Sequence, residues 1–141
     1  MIRFLNRLQP RALTLVRLVL AVAMLLHGYD KVIPAGGLHR AHPLAGADAF
    51  AHFVVTLGLP HWLGYVSVAT ECLGGLFLLF GLLTRFWALL VTGNMLVALA
   101  MVDIHHGYSG SQYSLSLLVM AFMLVVAGSG AMSLDRKFGI S

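Results

Sequence analysis

The chain of 141 residues is 60% hydrophobic and only 10% charged, with a net charge of +4 and a mean hydropathy of +0.91. A soluble domain carries about a quarter charged residues, so this composition excludes an ordinary soluble protein and predicts the lipid bilayer as the solvent. The basic residues lie mostly at the ends of apolar runs, which excludes nucleic acid as a partner, and the single cysteine, Cys72, excludes an internal disulfide.

The amino-terminal stretch is predicted to lie on the membrane surface. Residues 1–9 alternate apolar and basic side chains, which gives one apolar and one basic face at helical spacing. We expect Pro10 to turn the chain into the membrane after this interfacial segment.

Four apolar runs are long enough to cross a bilayer, because a spanning helix needs about 20 mainly apolar residues. They are residues 12–33, 62–83, 86–102 and 113–132. Arg17 interrupts the first run and no small-residue cleavage site follows it, so we interpret this run as a span and not as a signal peptide.

The connection between the first two spans is the only long one. Within it, residues 47–57 carry apolar side chains on one side and are predicted to form a short amphipathic helix over the mouth of the bundle. Connections of this length often form lids or binding elements.

The distribution of basic residues predicts the orientation. One set of span ends holds most of them, and only Lys31 and Arg40 lie at the other; the first set is Arg3, Arg7, Arg11, Arg85, Arg136 and Lys137. The positive-inside rule then places both termini in the cytoplasm. The sequence thus predicts an all-α integral membrane four-helix bundle, as a single domain over residues 1–141.

Glu71 is the only charged residue of the second span. A charge at the centre of the bilayer costs at least about 2.5–3.5 kcal/mol, so such a residue faces the protein interior and is a functional candidate. Small residues share its helix face, which predicts that this face packs against other helices; the stripe is Gly64, Ser67, Glu71, Gly74, Gly75 and Leu78.

Arg17 is the predicted ion-pair partner of Glu71, since its long side chain reaches toward the middle of the membrane. Two interpretations stay open. The pair is either structural, or it forms a proton or ligand site together with His27, Lys31 and Asn94.

All seven histidines fall in the outer half of the predicted topology, close to several acidic residues. Histidine and carboxylate suit zinc or copper, and pairs of histidines can bind haem iron. If a metal binds, the predicted ligands are His27 and Asp103 with His105 or His106. The spacing fits no established metal motif, so the alternative is a set of interfacial polar residues and proton carriers.

Several segments of the chain together carry the motifs of one known family. Arg17 with residues 27–31 (HGYDK) is similar to the opening motif of the DoxX family, and residues 70–75 (TECLGG) with 80–85 (FGLLTR) to its second-helix signature. Residues 94–98 and the ending 128–136 (GSGAMSLDR) resemble its third helix and its glycine-rich exit. The resemblance implies a four-helix bundle in the bacterial cytoplasmic (inner) membrane, in a family that includes subunits associated with quinol oxidase and thiosulfate:quinone oxidoreductase.

We therefore expect an accessory subunit of a quinone-linked redox or oxidative-stress system that is not an enzyme by itself. The Arg17–Glu71 region would hold a quinone head group or pass protons, with haem or metal as the alternative cofactor. The expected partners are the lipid bilayer, redox-complex subunits and further copies of the chain. The competing hypotheses are a membrane anchor or assembly factor, and an outer-face protein that binds a metal or a hydrophobic ligand.

Overall fold

The computed structural model of the chain describes residues 2–33 and 44–140, which are helical over most of their length. The helices are α1 Ile2–Val32, α2 Ala45–Thr56, α3 His61–Phe80, α4 Thr84–Met101, α5 Gly107–Ala127 and α6 Leu134–Phe138, with a 3-10 turn over Asp103–His106. This architecture confirms the predicted all-α fold.

Four of these helical segments are long and apolar enough to span a membrane: Leu8–Val32, His61–Phe80, Thr84–Met101 and Asp103–Ala127. The four predicted spans are thus confirmed, but the boundaries of the fourth, predicted at 113–132, were wrong. The helix begins earlier, at Gly107, and its first turns are tied to the preceding 3-10 turn by the Ser111 hydroxyl, whose one hydrogen is shared between the carbonyls of Asp103 and Gly107, at 2.9 Å each. It ends at Ala127 because Gly128 adopts a positive φ of 85°.

The predicted turn at Pro10 was wrong, since α1 continues through this residue. The Pro10 carbonyl accepts from the Thr14 hydroxyl at 3.0 Å and from the Ala131 N–H at 2.9 Å, which ties this part of α1 to the carboxy-terminal segment. The 31 residues of α1 extend over about 46 Å at 1.5 Å per residue, more than the roughly 30 Å of the hydrocarbon core. That residues 1–9 lie on the membrane surface stays a prediction.

The predicted amphipathic helix is confirmed as α2, which buries Ala47, Ala51 and Val54. It packs on α3 at Gly64. The two helices are so close there that a side chain at position 64 would collide with Ala51. The α2 helix therefore covers one end of the bundle, which we call the α2 end. The opposite end, which holds the α3–α4 turn and α6, is the α6 end.

Small residues on α3 let the neighbouring helices approach closely, as predicted for the Glu71 face. A Cβ at Gly75 would lie 2.9 Å from Leu25 Cγ and 3.1 Å from the Ala21 carbonyl oxygen on α1, and one at Gly74 would lie 3.2 Å from the Trp87 ring on α4. The fully or nearly fully buried core beside this contact consists of Leu20, Ala21, Met24, Leu78, Ala88, Val91, Met95, Leu117, Ala121 and Leu124.

We expect Gly75→Ala to lower the thermal stability of the detergent-solubilised protein, measured by circular dichroism. Overpacking at this contact costs about 1–3 kcal/mol, which exceeds the gain of roughly 1 kcal/mol when alanine replaces glycine in a helix. Gly93→Ala is the matched control, because a Cβ at Gly93 meets no atom within 4 Å. Equal stability changes in the two variants would contradict the close α1–α3 contact.

Candidate functional site

Glu71 forms an ion pair with Lys31 in the interior of the bundle. The Lys31 Nζ atom lies 2.6 Å from Glu71 Oε1, and the side chains are 21% and 1% exposed. The two helices approach closely one turn before Lys31, where a Cβ on Gly28 would lie only 3.0 Å from the backbone nitrogen of Cys72. Lys31 also lies in the last turn of α1, where the helix dipole favours a positive charge.

Three further side chains surround this pair. Asn94 Nδ2 on α4 donates to the same Glu71 Oε1 at 3.0 Å. Lys31 Nζ lies 3.5 Å from Ser67 Oγ on α3 and 3.9 Å from the centre of the Phe50 ring on α2. The polar cluster of Lys31, Glu71, Asn94 and Ser67 therefore joins three spans, and α2 covers it.

The hydrogen bonds within the cluster are unevenly shared. Glu71 Oε1 accepts from both Lys31 and Asn94, whereas Glu71 Oε2 is buried and has no hydrogen-bond partner among the described residues. A buried acceptor without a partner costs about 1–3 kcal/mol, or more when it is charged. An arrangement this costly in a native structure is a candidate for function.

A cavity of about 540 Å³ lies beside the cluster, between α2, α3 and α4. Lys31, Glu71 and Asn94 lie along its wall, and most of the other lining side chains are apolar. Small-molecule sites have volumes of roughly 300–1,000 Å³ and combine apolar walls with a few polar groups that fix the ligand. The cavity therefore has the size and chemistry of a site for one small amphiphilic molecule.

The predicted ion pair between Arg17 and Glu71 was wrong. Arg17 is buried at the α6 end, where Nη1 donates to the Ser129 carbonyl at 2.6 Å and Nη2 to the Met132 carbonyl at 2.5 Å. The physical reason is the helix register. Arg17 lies 14 residues before Lys31, which is about 21 Å along α1, so the two basic residues cannot both reach Glu71.

Asp135 is a structural residue that the sequence analysis did not single out. Its buried carboxylate accepts from the backbone N–H of Leu83 at 2.6 Å and of Thr84 at 2.8 Å, and so caps the start of α4. Leu83 adopts a left-handed conformation with φ of 50° to complete this turn. Asp135 and Arg17 together hold α1, the α3–α4 turn and the carboxy-terminal segment in contact. Arg17 therefore has a structural role, and it does not line the cavity. No local sequence signal points to the role of Asp135, because the helix that it caps begins about 50 residues earlier in the chain.

The structure does not bring the predicted metal ligands together. His27 stacks on Tyr113 with 5.3 Å between ring centroids, His106 Nδ1 lies 3.0 Å from the carbonyl oxygen of Val102, and His105 is exposed. Within residues 2–33 and 44–140, no three His, Cys, Asp or Glu side chains are arranged to hold a metal ion. His27 and Asp103 do line the cavity.

Comparison with known proteins shows the family of this chain. The DoxX family profile matches residues 12–105. The chain belongs to the DoxX family. The match includes all four residues of the polar cluster and also Phe50 of α2, which covers it.

A relative is the protein of Bacillus subtilis (strain 168) named "Putative oxidoreductase CatD". It is 26% identical over 122 residues, which cover 86% of this chain and 82% of the relative. No solved structure matches the chain.

We expect the stability effects of Lys31→Met and Glu71→Gln to be strongly non-additive. Removing one partner of a buried ion pair leaves the other charge uncompensated and costs about 3–5 kcal/mol, whereas removing both costs much less than the sum. The measurement is a double-mutant cycle on unfolding in mixed micelles.

The control cycle combines Glu71→Gln with Arg136→Met, because Arg136 is exposed at the α6 end. That pair should be additive within about 0.5 kcal/mol. Additivity in the Lys31–Glu71 cycle as well would show that the two groups do not interact.

Proposed function

We propose that this DoxX protein is an accessory subunit of a quinone-linked membrane redox or oxidative-stress system, and that its cavity holds the quinone head group. The observation that carries the proposal is the meeting of a largely apolar cavity with the Lys31–Glu71–Asn94 cluster inside a membrane bundle. A quinone needs an apolar slot for its ring and a few hydrogen-bonding groups for its carbonyls.

Donors suited to a quinone carbonyl are left over in the cluster. An ammonium group has three N–H donors and an amide nitrogen has two. Lys31 makes one short contact with Glu71 and a longer one with Ser67, and Asn94 uses one N–H on Glu71. Each residue therefore retains an N–H for a ligand, and Glu71 acts as the positioning residue that holds both donors in place.

Glu71 also supports a role in proton transfer. Its Oε1 atom accepts both hydrogen bonds that the carboxylate makes, and its Oε2 atom makes none with a described residue. A proton can therefore be held at Oε2 without breaking the contacts to Lys31 and Asn94. Reduction and oxidation of a quinone are coupled to proton uptake and release, which such a group can serve.

An accessory role fits the chemistry that the chain carries. Iron–sulfur clusters are held by several cysteine thiolates, and this sequence has a single cysteine. Electrons would then come from or pass to a partner subunit. The oxidoreductase name of the relative CatD is in keeping with membership in such a redox system.

We further propose that the protein lies in the bacterial cytoplasmic (inner) membrane with both termini in the cytoplasm. The exposed basic residues Arg11, Arg85, Arg136 and Lys137 support this orientation, because they gather at the α6 end. A carboxy-terminal green fluorescent protein fusion is expected to fluoresce and an alkaline phosphatase fusion at the same position to be inactive. The reverse result would invert the topology.

We expect Lys31→Met to weaken binding of a long-chain quinone by about tenfold or more, and Asn94→Leu to weaken it by about two- to tenfold because its amide donor is uncharged. A hydrogen bond from a charged donor contributes roughly 1.5–3 kcal/mol, and each 1.4 kcal/mol corresponds to a tenfold change in Kd. The measurement is equilibrium binding of the quinone to the purified protein in lipid nanodiscs.

Arg17→Lys is the control, because Arg17 contacts the α6 end and not the cavity, so its Kd should stay within twofold of wild type once folding is verified. Unchanged binding in both cavity variants would contradict the proposed site. The purified chain alone is expected to leave the bound quinone in its original redox state, and turnover without a partner would contradict the accessory role.

A further inference from the structure

The cavity opens sideways between α3 and α4. Leu89, Gly93, Val97 and Met101 line it at intervals of four residues along α4. The three larger ones are 59%, 46% and 37% exposed. Side chains that line a cavity and remain this exposed are expected where the cavity opens to its surroundings. Val66 on α3 lines the same cavity and is 43% exposed, so it marks the opposite rim.

Gly93 lies at the middle of this rim. It is the tenth residue of the 18-residue helix Thr84–Met101 and therefore lies near the middle of the membrane. A Cβ at this position would meet no atom within 4 Å, in contrast to Gly74 and Gly75 of α3, which pack against α4 and α1. Glycine is unfavourable by about 1 kcal/mol in a helix, and here no close packing within the described structure accounts for it.

The opening and the polar cluster select one kind of ligand. Asn94 follows Gly93 directly, so hydrogen-bonding groups lie just inside an opening whose rim is apolar. On the other side Phe50 of α2 lies over the Lys31 ammonium and covers the cluster. A molecule with a polar head and a hydrocarbon tail would place its head on the cluster and leave its tail in the bilayer.

We propose that a lipid-soluble quinone enters this cavity laterally from the bilayer, and that Gly93 keeps the gap between α3 and α4 open for its tail. This inference rests on the proposed quinone site and adds the route of access and the requirement for a tail. Gly93 is thereby a specificity-determining residue that touches the tail and not the reacting ring.

The experiment compares Gly93→Leu with Ala100→Leu in nanodiscs, using an isoprenoid quinone and the same head group without its tail. Ala100 is a matched control because it is exposed on α4 and does not line the cavity. Gly93→Leu is expected to weaken binding of the tailed quinone at least tenfold and to leave the tail-less head group within twofold. Ala100→Leu is expected to change neither.

Two results would overturn the lateral route alone: wild-type affinity of Gly93→Leu for the tailed quinone, or equal loss of both ligands in a folded variant. If the wild type binds neither ligand, the proposed quinone site itself fails.

Two further measurements cover the remaining cases. Should Gly93→Leu not fold, Val97→Trp blocks the same rim one turn away and has the same expected outcome. Should the head group alone bind too weakly to measure, a photoreactive group on the tail decides, because it should label the rims of α3 and α4. Labelling of α1 or α5 instead would contradict the route.

Discussion

A carboxylate in the middle of a membrane helix must be neutralised, and in this protein the Lys31–Glu71 ion pair meets that demand. A charge at this depth costs at least about 2.5–3.5 kcal/mol, a large fraction of the stability of a small domain. The contact of 2.6 Å forms only where the last turn of α1 lies beside the middle of α3. The glycines of both helices permit this approach, because a Cβ at Gly28 or Gly75 would collide with the opposite helix. Charge and packing thus fix the same helix register.

The polar side chains at the two ends of the bundle differ in what they hydrogen-bond to. At the α6 end, Arg17 donates to two backbone carbonyls and each carboxylate oxygen of Asp135 accepts from a backbone N–H, so that the two side chains tie three chain segments together. Toward the α2 end, the polar cluster retains spare donors and borders a cavity. Closely fitted hydrogen bonding suits a structural anchor, whereas spare hydrogen-bonding capacity beside an apolar space suits a binding site.

Hydropathy and charge were sufficient to predict the four spans, the α2 helix and the buried face of Glu71, because each follows from a local pattern and the properties of the solvent. The partner of Glu71 was not predictable in this way. Arg17 and Lys31 are both basic residues of α1. Which of them lies beside Glu71 depends on the register between α1 and α3, and this register is determined by the close contacts at the glycines. The cap by Asp135 was missed because it acts on a helix that begins about 50 residues earlier in the chain. The cavity could not be predicted from a local pattern either. The open space beside Gly93 results from the packing of the helices, and nothing in the sequence distinguishes this glycine from the others.

Phe50 couples the position of α2 to the polar cluster that borders the cavity. Its ring lies 3.9 Å from the Lys31 ammonium, and its helix is held on α3 by a hydrogen bond from the Tyr65 hydroxyl to the Asp48 carboxylate. Displacement of α2 would expose the ammonium to water and alter the cavity wall. A partner protein that grips α2 would therefore change the affinity for a ligand in the cavity. By thermodynamic reciprocity the ligand would change the affinity for that partner by the same factor, so occupancy of the cavity could be read at the surface as a ligand-dependent Kd of the complex.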